Sequence, residues 1–185
     1  MTLTNLLSDL RIFYNLNFNE FNLLNPFFYI NSSSNSLTWK NYISEESFDT
    51  YEEYYQWVVS NNQYSLTFGE DALIRIHFKK KGTNWFASMA FLPDPSINST
   101  YFRFDMDFSE QKDFIHSSYH IHFGYNSNRF RISLMSYPYP SQFLYFIAFL
   151  LGYHKCKHFD NSKFFPSLDS IPEVYNHFLN LKLSL

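Results

Sequence analysis

The sequence has few of the features that point to a familiar class of protein. Only four of its 185 residues are glycine, which excludes a glycine-rich phosphate loop, a collagen-like repeat and a flexible linker. The single cysteine, Cys156, can form neither an internal disulfide nor a cysteine-based zinc cluster, so we expect a cytoplasmic protein. The longest apolar run, residues 143–151, is about half of a membrane span, and we expect no contact with a membrane.

Charge is also scarce, whereas aromatic side chains are abundant. Charged residues make up 17% of the chain and the net charge is −3, which argues against binding nucleic acid through a broad basic surface. Local contact with nucleic acid stays open. Aromatic residues make up 22%, and each can bury roughly 150–250 Å². We therefore predict one compact domain over residues 1–185, with aromatic surface for a larger protein partner. The sequence does not indicate an oligomeric state.

Helical spacing of apolar residues marks the first part of the chain. The first 15 or so residues predict an amphipathic helix that Thr2 or Thr4 caps. A second helix is predicted from Ser44 to the pair Asn61 and Asn62.

Two further helices are predicted near the carboxyl end. Pro140 fits the first turn of an apolar helix that continues to about Tyr153. The segment Ser170-Ile-Pro-Glu173 matches a capping box and predicts a final helix.

The middle of the chain changes from helical spacing to strand alternation. Short turns separate the alternating segments, so neighbouring strands should be antiparallel. The sequence therefore predicts an α+β fold, in which an antiparallel sheet of about five to six strands carries amino-terminal and carboxy-terminal helices packed on one face. The predicted strands are 63–68, 71–79, 84–92, 100–108, 119–124 and 129–134.

Polar residues should share the other face of this sheet. The segments 119–124 and 129–134 form a hairpin if Gly124 pairs with Arg129. The paired positions are then His120 with Ser133, Ile121 with Ile132 and His122 with Arg131. If the neighbouring strands adjoin, the face carries His120, His122, Arg129, Arg131, Arg103, Asp105 and Asp107, with Arg75, His77 and Lys79 nearby.

This pattern is compatible with several functions. A sheet covered by helices on one side normally exposes polar residues on the other, so a plain solvent-facing surface also explains it. Because binding demands least of the geometry, we expect a non-enzymatic binding or regulatory subunit without a cofactor. The predicted contacts to phosphate or an acidic partner are Arg103, Arg129, Arg131, Arg75 and His77.

Two alternatives require either a catalysed reaction or a bound metal ion. His120 and His122 could act as acid and base, with Asp105 beside them, in a metal-independent RNA-cleaving toxin or nuclease. The same histidines with Asp105 or Asp107 could instead bind Zn, Mn or Fe. We expect no bound metal, although the residue types leave that alternative open.

Four short motifs carry a resemblance to a known family. They are the segment Phe104-Asp-Met-Asp107, the segment Tyr119-His-Ile-His-Phe-Gly124, the segment Arg129-Phe-Arg-Ile132, and the segment Pro140-Ser-Gln-Phe-Leu-Tyr-Phe-Ile147. Residues 100–153 resemble a bacterial family of conserved domains of unknown function, in which a His-x-His-x-Gly strand precedes an Arg-Ile-Pro strand and a Pro-x-x-Phe helix. Ser133 stands here in place of the proline. The resemblance implies a place among mobile-element or phage-defence genes.

Overall fold

The structure, a computed structural model, describes residues 1–44, 47–70, 72–97, 100–107, 118–125, 131–134 and 137–153. These residues form three helices and nine strands. The helices are α1 (Leu3–Asn17), α2 (Tyr51–Ser60) and α3 (Pro140–Leu150). The strands are β1 (Leu23–Leu24), β2 (Phe28–Asn31), β3 (Ser36–Trp39), β4 (Leu66–Phe68), β5 (Ala72–Lys81), β6 (Asn84–Pro93), β7 (Phe102–Asp107), β8 (Tyr119–Phe123) and β9 (Arg131–Ser133).

The strands form one antiparallel sheet, which confirms the predicted α+β class. Its main path runs in the order β1-β4-β5-β6-β7-β8-β9. The six predicted strands correspond to β4–β9, each within a few residues of its predicted bounds. The sheet is larger than predicted because β1, β2 and β3 add to it. The hairpin of β2 and β3 joins the end of β5, where Ser36 lies opposite Lys79.

Helices α1 and α3 cover one face of the sheet, as predicted. Inward side chains of α1, such as Leu6 and Leu10, pack there with Phe143 and Ile147 of α3. The sheet contributes the alternate residues Ile74, Ile76, Phe78, Met89, Phe91, Phe102, Phe104, Met106 and Ile121. This apolar face is the main core, and it leaves the intervening residues of each strand on the opposite face.

The two covering helices are also tied together by one carboxylate. Thr2 caps α1 by accepting a hydrogen bond from the backbone N–H of Asn5 at 3.1 Å. Asp9 of α1 accepts hydrogen bonds from the backbone N–H and the hydroxyl of Ser141, both at 2.8 Å. Because Ser141 lies in the first turn of α3, the negative charge of Asp9 stabilises the positive end of that helix.

Helix α2 packs on the opposite face of the sheet, so the three helices do not all share one side. Its buried residues Tyr54, Tyr55 and Val58 contact Leu73 and Leu92 in a second, smaller core. The helix begins at Tyr51 rather than near Ser44, because Thr50 and Glu53 form a reciprocal capping box. It ends at the predicted asparagines.

A tight turn fixes the register between the two longest strands. Lys81 pairs with Asn84, and Gly82 between them has a φ of 63°, a conformation that glycine adopts without strain. This register places His77 directly opposite Ser88. The final helix predicted from Ser170 lies outside the described residues. Among the helices that the structure describes, none has the length and apolar character needed to cross a membrane.

Candidate functional site

Cross-strand pairing brings predicted site residues into two rows on the face opposite α1 and α3. We call this side of β5–β8 the polar face; it carries His77, Ser88, Arg103, Asp105, His120 and His122. In the first row, His77 lies opposite Ser88, Ser88 opposite Asp105, and Asp105 opposite His120. His120 in turn lies opposite Ser133, as the sequence predicts.

The second row lies one pleat away. Arg103 of β7 is paired with Ala90 on one side and with His122 on the other. His122 pairs with Arg131 in the predicted register of the β8–β9 hairpin. Directly opposed residues in antiparallel strands have Cβ atoms about 4.5–5.5 Å apart. Pairing therefore places His120 beside Asp105 and His122 beside Arg103.

Asp105 is the centre of this group. Its Oδ2 atom lies 2.7 Å from Arg103 Nε, 3.3 Å from His122 Nε2 and 3.9 Å from His120 Nε2. The two imidazole rings are 4.7 Å apart, centroid to centroid, at an angle of 64°. Both histidines thus present a ring nitrogen to the same carboxylate oxygen. We call Asp105, His120 and His122 the Asp–His cluster.

The Asp–His cluster lies largely below the surface. The exposed fraction of the side chain is 6% for His120, 7% for His122 and 15% for Asp105, whereas Arg103 retains 35%. Burial raises the pKa of the Asp105 carboxyl, because the charged form loses solvation. The positive charge of Arg103 and a hydrogen bond with Ser88 act in the opposite direction without cancelling that effect.

A pocket of about 320 Å³ opens beside the Asp–His cluster. Its charged and titratable lining residues are Lys79, Arg103, Asp105, Asp107, His77, His120 and His122. Two cationic and two anionic side chains balance formally when the histidines are neutral. The lining is therefore formally neutral, and a bound ion would change the net charge of the pocket.

Arg75 is on the same sheet face, but the structure places it under α2 and outside this pocket. It is buried, with its guanidinium 4.7 Å from the ring centroid of Trp39 and 5.5 Å from that of Tyr54. It also donates a hydrogen bond to the Tyr54 hydroxyl. Arg75 instead lines a separate cavity of about 40 Å³. Its environment is that of a structural cation–π contact.

His77 lines both the 320 Å³ pocket and the smaller cavity. Its ring is 4.8 Å from the ring of Tyr42, centroid to centroid. Two strand spacings separate its row position from Asp105, which places it outside the Asp–His cluster.

Of the two remaining predicted arginines, Arg131 alone lies within the described residues. Backbone pairing puts Arg131 opposite His122. Arg129 lies outside the described residues.

One contributor to the site was missing from the sequence prediction. Ser88 lies between His77 and Asp105 in the first row, and its side chain hydrogen-bonds Asp105. The alternation of β6 would have placed Ser88 on the polar face. Serine carries no chemical signature of its own, so only the cross-strand register shows its contact.

The chain matches no family model, no curated protein and no solved structure. The residues of the site therefore carry the functional conclusion.

Proposed function

We propose that the protein is a non-enzymatic binding or regulatory subunit that holds a phosphate or an acidic group of a larger partner in the polar-face pocket. The observation that carries the proposal is the 320 Å³ pocket, whose lining includes Arg103, Lys79 and three histidines. Guanidinium and ammonium groups bind phosphate and carboxylate through charge-assisted hydrogen bonds. Each imidazole ring can add a hydrogen bond to the bound group.

Arg103 has the best placement for such a contact. Its Nε donates to Asp105 at 2.7 Å, which fixes the plane of the guanidinium, and 35% of the side chain remains exposed at the pocket. A fixed, partly exposed guanidinium loses less conformational entropy on binding than a mobile one. Arg103 is therefore the residue that we assign to the bound anion first.

The family resemblance and the cysteine content extend the proposal. The resemblance of residues 100–153 supports a role in a phage-defence or mobile-element complex of a prokaryote. The single cysteine supports a cytoplasmic location. Both statements are parts of the proposal, and the pocket itself supports neither.

Two adjacent lysines provide a matched test of the anion site. Lys79 lines the pocket, whereas Lys80 points to the other side of β5, with its ammonium 5.9 Å from the Trp85 ring centroid. We expect Lys79→Gln to weaken the affinity for inorganic phosphate about fivefold, equivalent to about 1 kcal/mol. Lys80→Gln removes the same charge and should leave the affinity nearly unchanged. Isothermal titration calorimetry at low salt measures both.

Two results would count against this function. Equal losses in the two lysine variants would mean that phosphate responds to net charge rather than to the pocket. Cleavage of single-stranded RNA by the purified protein in EDTA, abolished in His122→Ala, would show instead a metal-independent nuclease.

The observed geometry gives less support to that nuclease alternative. The ring nitrogens of His120 and His122 that face Asp105 lie 3.9 Å and 3.3 Å from the same oxygen atom. Both nitrogens therefore converge on one carboxylate oxygen. General acid–base cleavage by in-line attack needs a base and an acid on opposite sides of the phosphorus. A binding role requires no such separation.

A further inference from the structure

The three residues of the Asp–His cluster also bring together the donor atoms of a metal site. His120 and His122 are two residues apart on β8 and so share one side of the strand. Asp105 faces them from β7, paired directly with His120. One ligand atom from each of the three residues can be chosen so that all lie within 4.8 Å of one another. Two adjacent strands thus bring the three potential metal ligands together.

These separations fit a divalent ion with small side-chain adjustment. Zinc is bound about 2.0–2.2 Å from nitrogen and oxygen ligands, which places neighbouring ligand atoms roughly 3–3.5 Å apart. The separation between His122 Nε2 and Asp105 Oδ2 is already 3.3 Å, and that from His120 Nε2 is 3.9 Å. All three ligand atoms lie within 4.8 Å of one another, so metal binding requires the imidazole and carboxylate groups to rotate towards the ion.

The donor types narrow the choice of metal. Mg²⁺ and Ca²⁺ prefer oxygen ligands, whereas imidazole suits Zn²⁺, Fe²⁺ and their first-row neighbours. We propose that Asp105, His120 and His122 bind one divalent transition-metal ion, with zinc as the reference case. Two histidines and one carboxylate leave coordination positions open, and the adjacent pocket gives access to them.

The neighbours of Asp105 orient the carboxylate for this role. The Arg103 Nε–H and the Ser88 side chain both hydrogen-bond it, as outer contacts commonly do to the carboxylate ligands of metals. The charge of Arg103 opposes a nearby cation, so this site should bind metal less tightly than one without an arginine. An anion at the open coordination positions would offset part of this repulsion between the metal and Arg103.

The metal would also change the pocket. The formal charges of its lysine, arginine and two aspartates sum to zero, so a dication makes the lining net positive. An oxygen of the bound anion could then occupy an open coordination position. This link rests on the proposed function, whereas the metal site itself does not.

Zinc alone is the first probe, in a buffer free of phosphate. Competition against a coloured chelator should show one Zn²⁺ bound per chain. We expect Asp105→Asn and His122→Gln each to weaken that affinity at least about 100-fold, since losing only an outer contact costs about 10–100-fold. His77→Gln is the matched control: it lines the same pocket outside the cluster, and it should change the affinity less than about threefold.

Several results of this experiment would overturn the proposed metal site. Wild-type protein that binds no stoichiometric zinc would overturn it, and so would ligand variants that bind zinc like wild type. Equal losses in His77→Gln would also overturn the assignment. If the buried variants do not fold, Co²⁺ added to wild-type protein must shift the proton resonances of His120 and His122 paramagnetically, and shifts only at other histidines would overturn it. Because no anion is present, failure here leaves the phosphate titration of the lysine variants unaffected.

Discussion

The substitution Phe102→Ala is expected to lower the free energy of unfolding by about 3–5 kcal/mol. Phe102 is 1% exposed and lies at the centre of an aromatic group in the main core. Its ring centroid is 5.1 Å from that of Phe91, 5.8 Å from Phe146 and 6.4 Å from Phe143. Truncation removes these contacts and leaves a cavity between the sheet and α3, which the surrounding rings can only partly fill.

The substitution Phe102→Ala should also disturb the candidate site, because Phe102 packs β7 against the core and β7 carries Arg103 and Asp105. Urea denaturation of wild type and variant gives the change in stability. Phe18→Ala is the control, since Phe18 is 44% exposed at the end of α1 and should cost less than about 1 kcal/mol. Similar losses in the two variants would mean that Phe102 is not at the centre of the core.

The substitution Gln63→Ala is also expected to lower the free energy of unfolding by about 3–5 kcal/mol, because this one buried amide makes four hydrogen bonds. Gln63 is 0% exposed. Its carbonyl oxygen accepts from the Trp39 indole at 2.9 Å and from the Ile43 backbone N–H at 2.8 Å. Its amino group donates to the backbone carbonyls of Asn41 and Asn61 at 3.0 Å and 2.9 Å. Alanine satisfies none of these four groups.

The consequence extends to the environment of Arg75. Gln63 holds the indole of Trp39, and that ring lies against the Arg75 guanidinium. We therefore expect Gln63→Ala to change the fluorescence of native protein as well as its stability. Gln56→Ala, on the exposed side of α2, makes the same substitution and should leave both unchanged. A loss under about 1 kcal/mol in Gln63→Ala would contradict the hydrogen-bond network.

The parts of the fold that follow from local alternation could be predicted from the sequence. The split of β7 into inward Phe102 and Phe104 and outward Arg103 and Asp105 is confirmed. The register of the β8–β9 hairpin is confirmed over its described residues. A one-residue slip would turn apolar side chains out of the core, so alternation specifies both features strongly.

The features that depend on distant contacts could not be predicted. β2 and β3 are short and their burial does not alternate, so the place of this hairpin in the sheet depends on the pairing of β3 with the far end of β5. The side on which α2 packs is decided by complementary residues of β5 and β6 that sequence spacing does not relate to it. The predicted start of α2 near Ser44 is wrong because Glu45 and Glu46, which follow that serine, also resemble the acidic first turn of a helix.

In the candidate site, too, strand alternation predicts some features and distant contacts decide the others. Alternation placed Asp105, His120 and His122 on one face, and the structure brings them within contact distance. Arg75 has the same alternation, yet α2 buries it between Trp39 and Tyr54. Alternation determines which side of a strand a residue occupies. Whether a helix covers that position depends on tertiary packing.

The function proposed here requires Asp105, His120 and His122 to converge beside the pocket, and a crystal structure of the chain would show directly whether they do. We expect the Nε2 atoms of both histidines to approach the same Asp105 oxygen, at separations close to the 3.3 Å and 3.9 Å described above. Imidazole rings that point to opposite sides of β8, or that are each enclosed by aromatic side chains away from Asp105, would contradict the account.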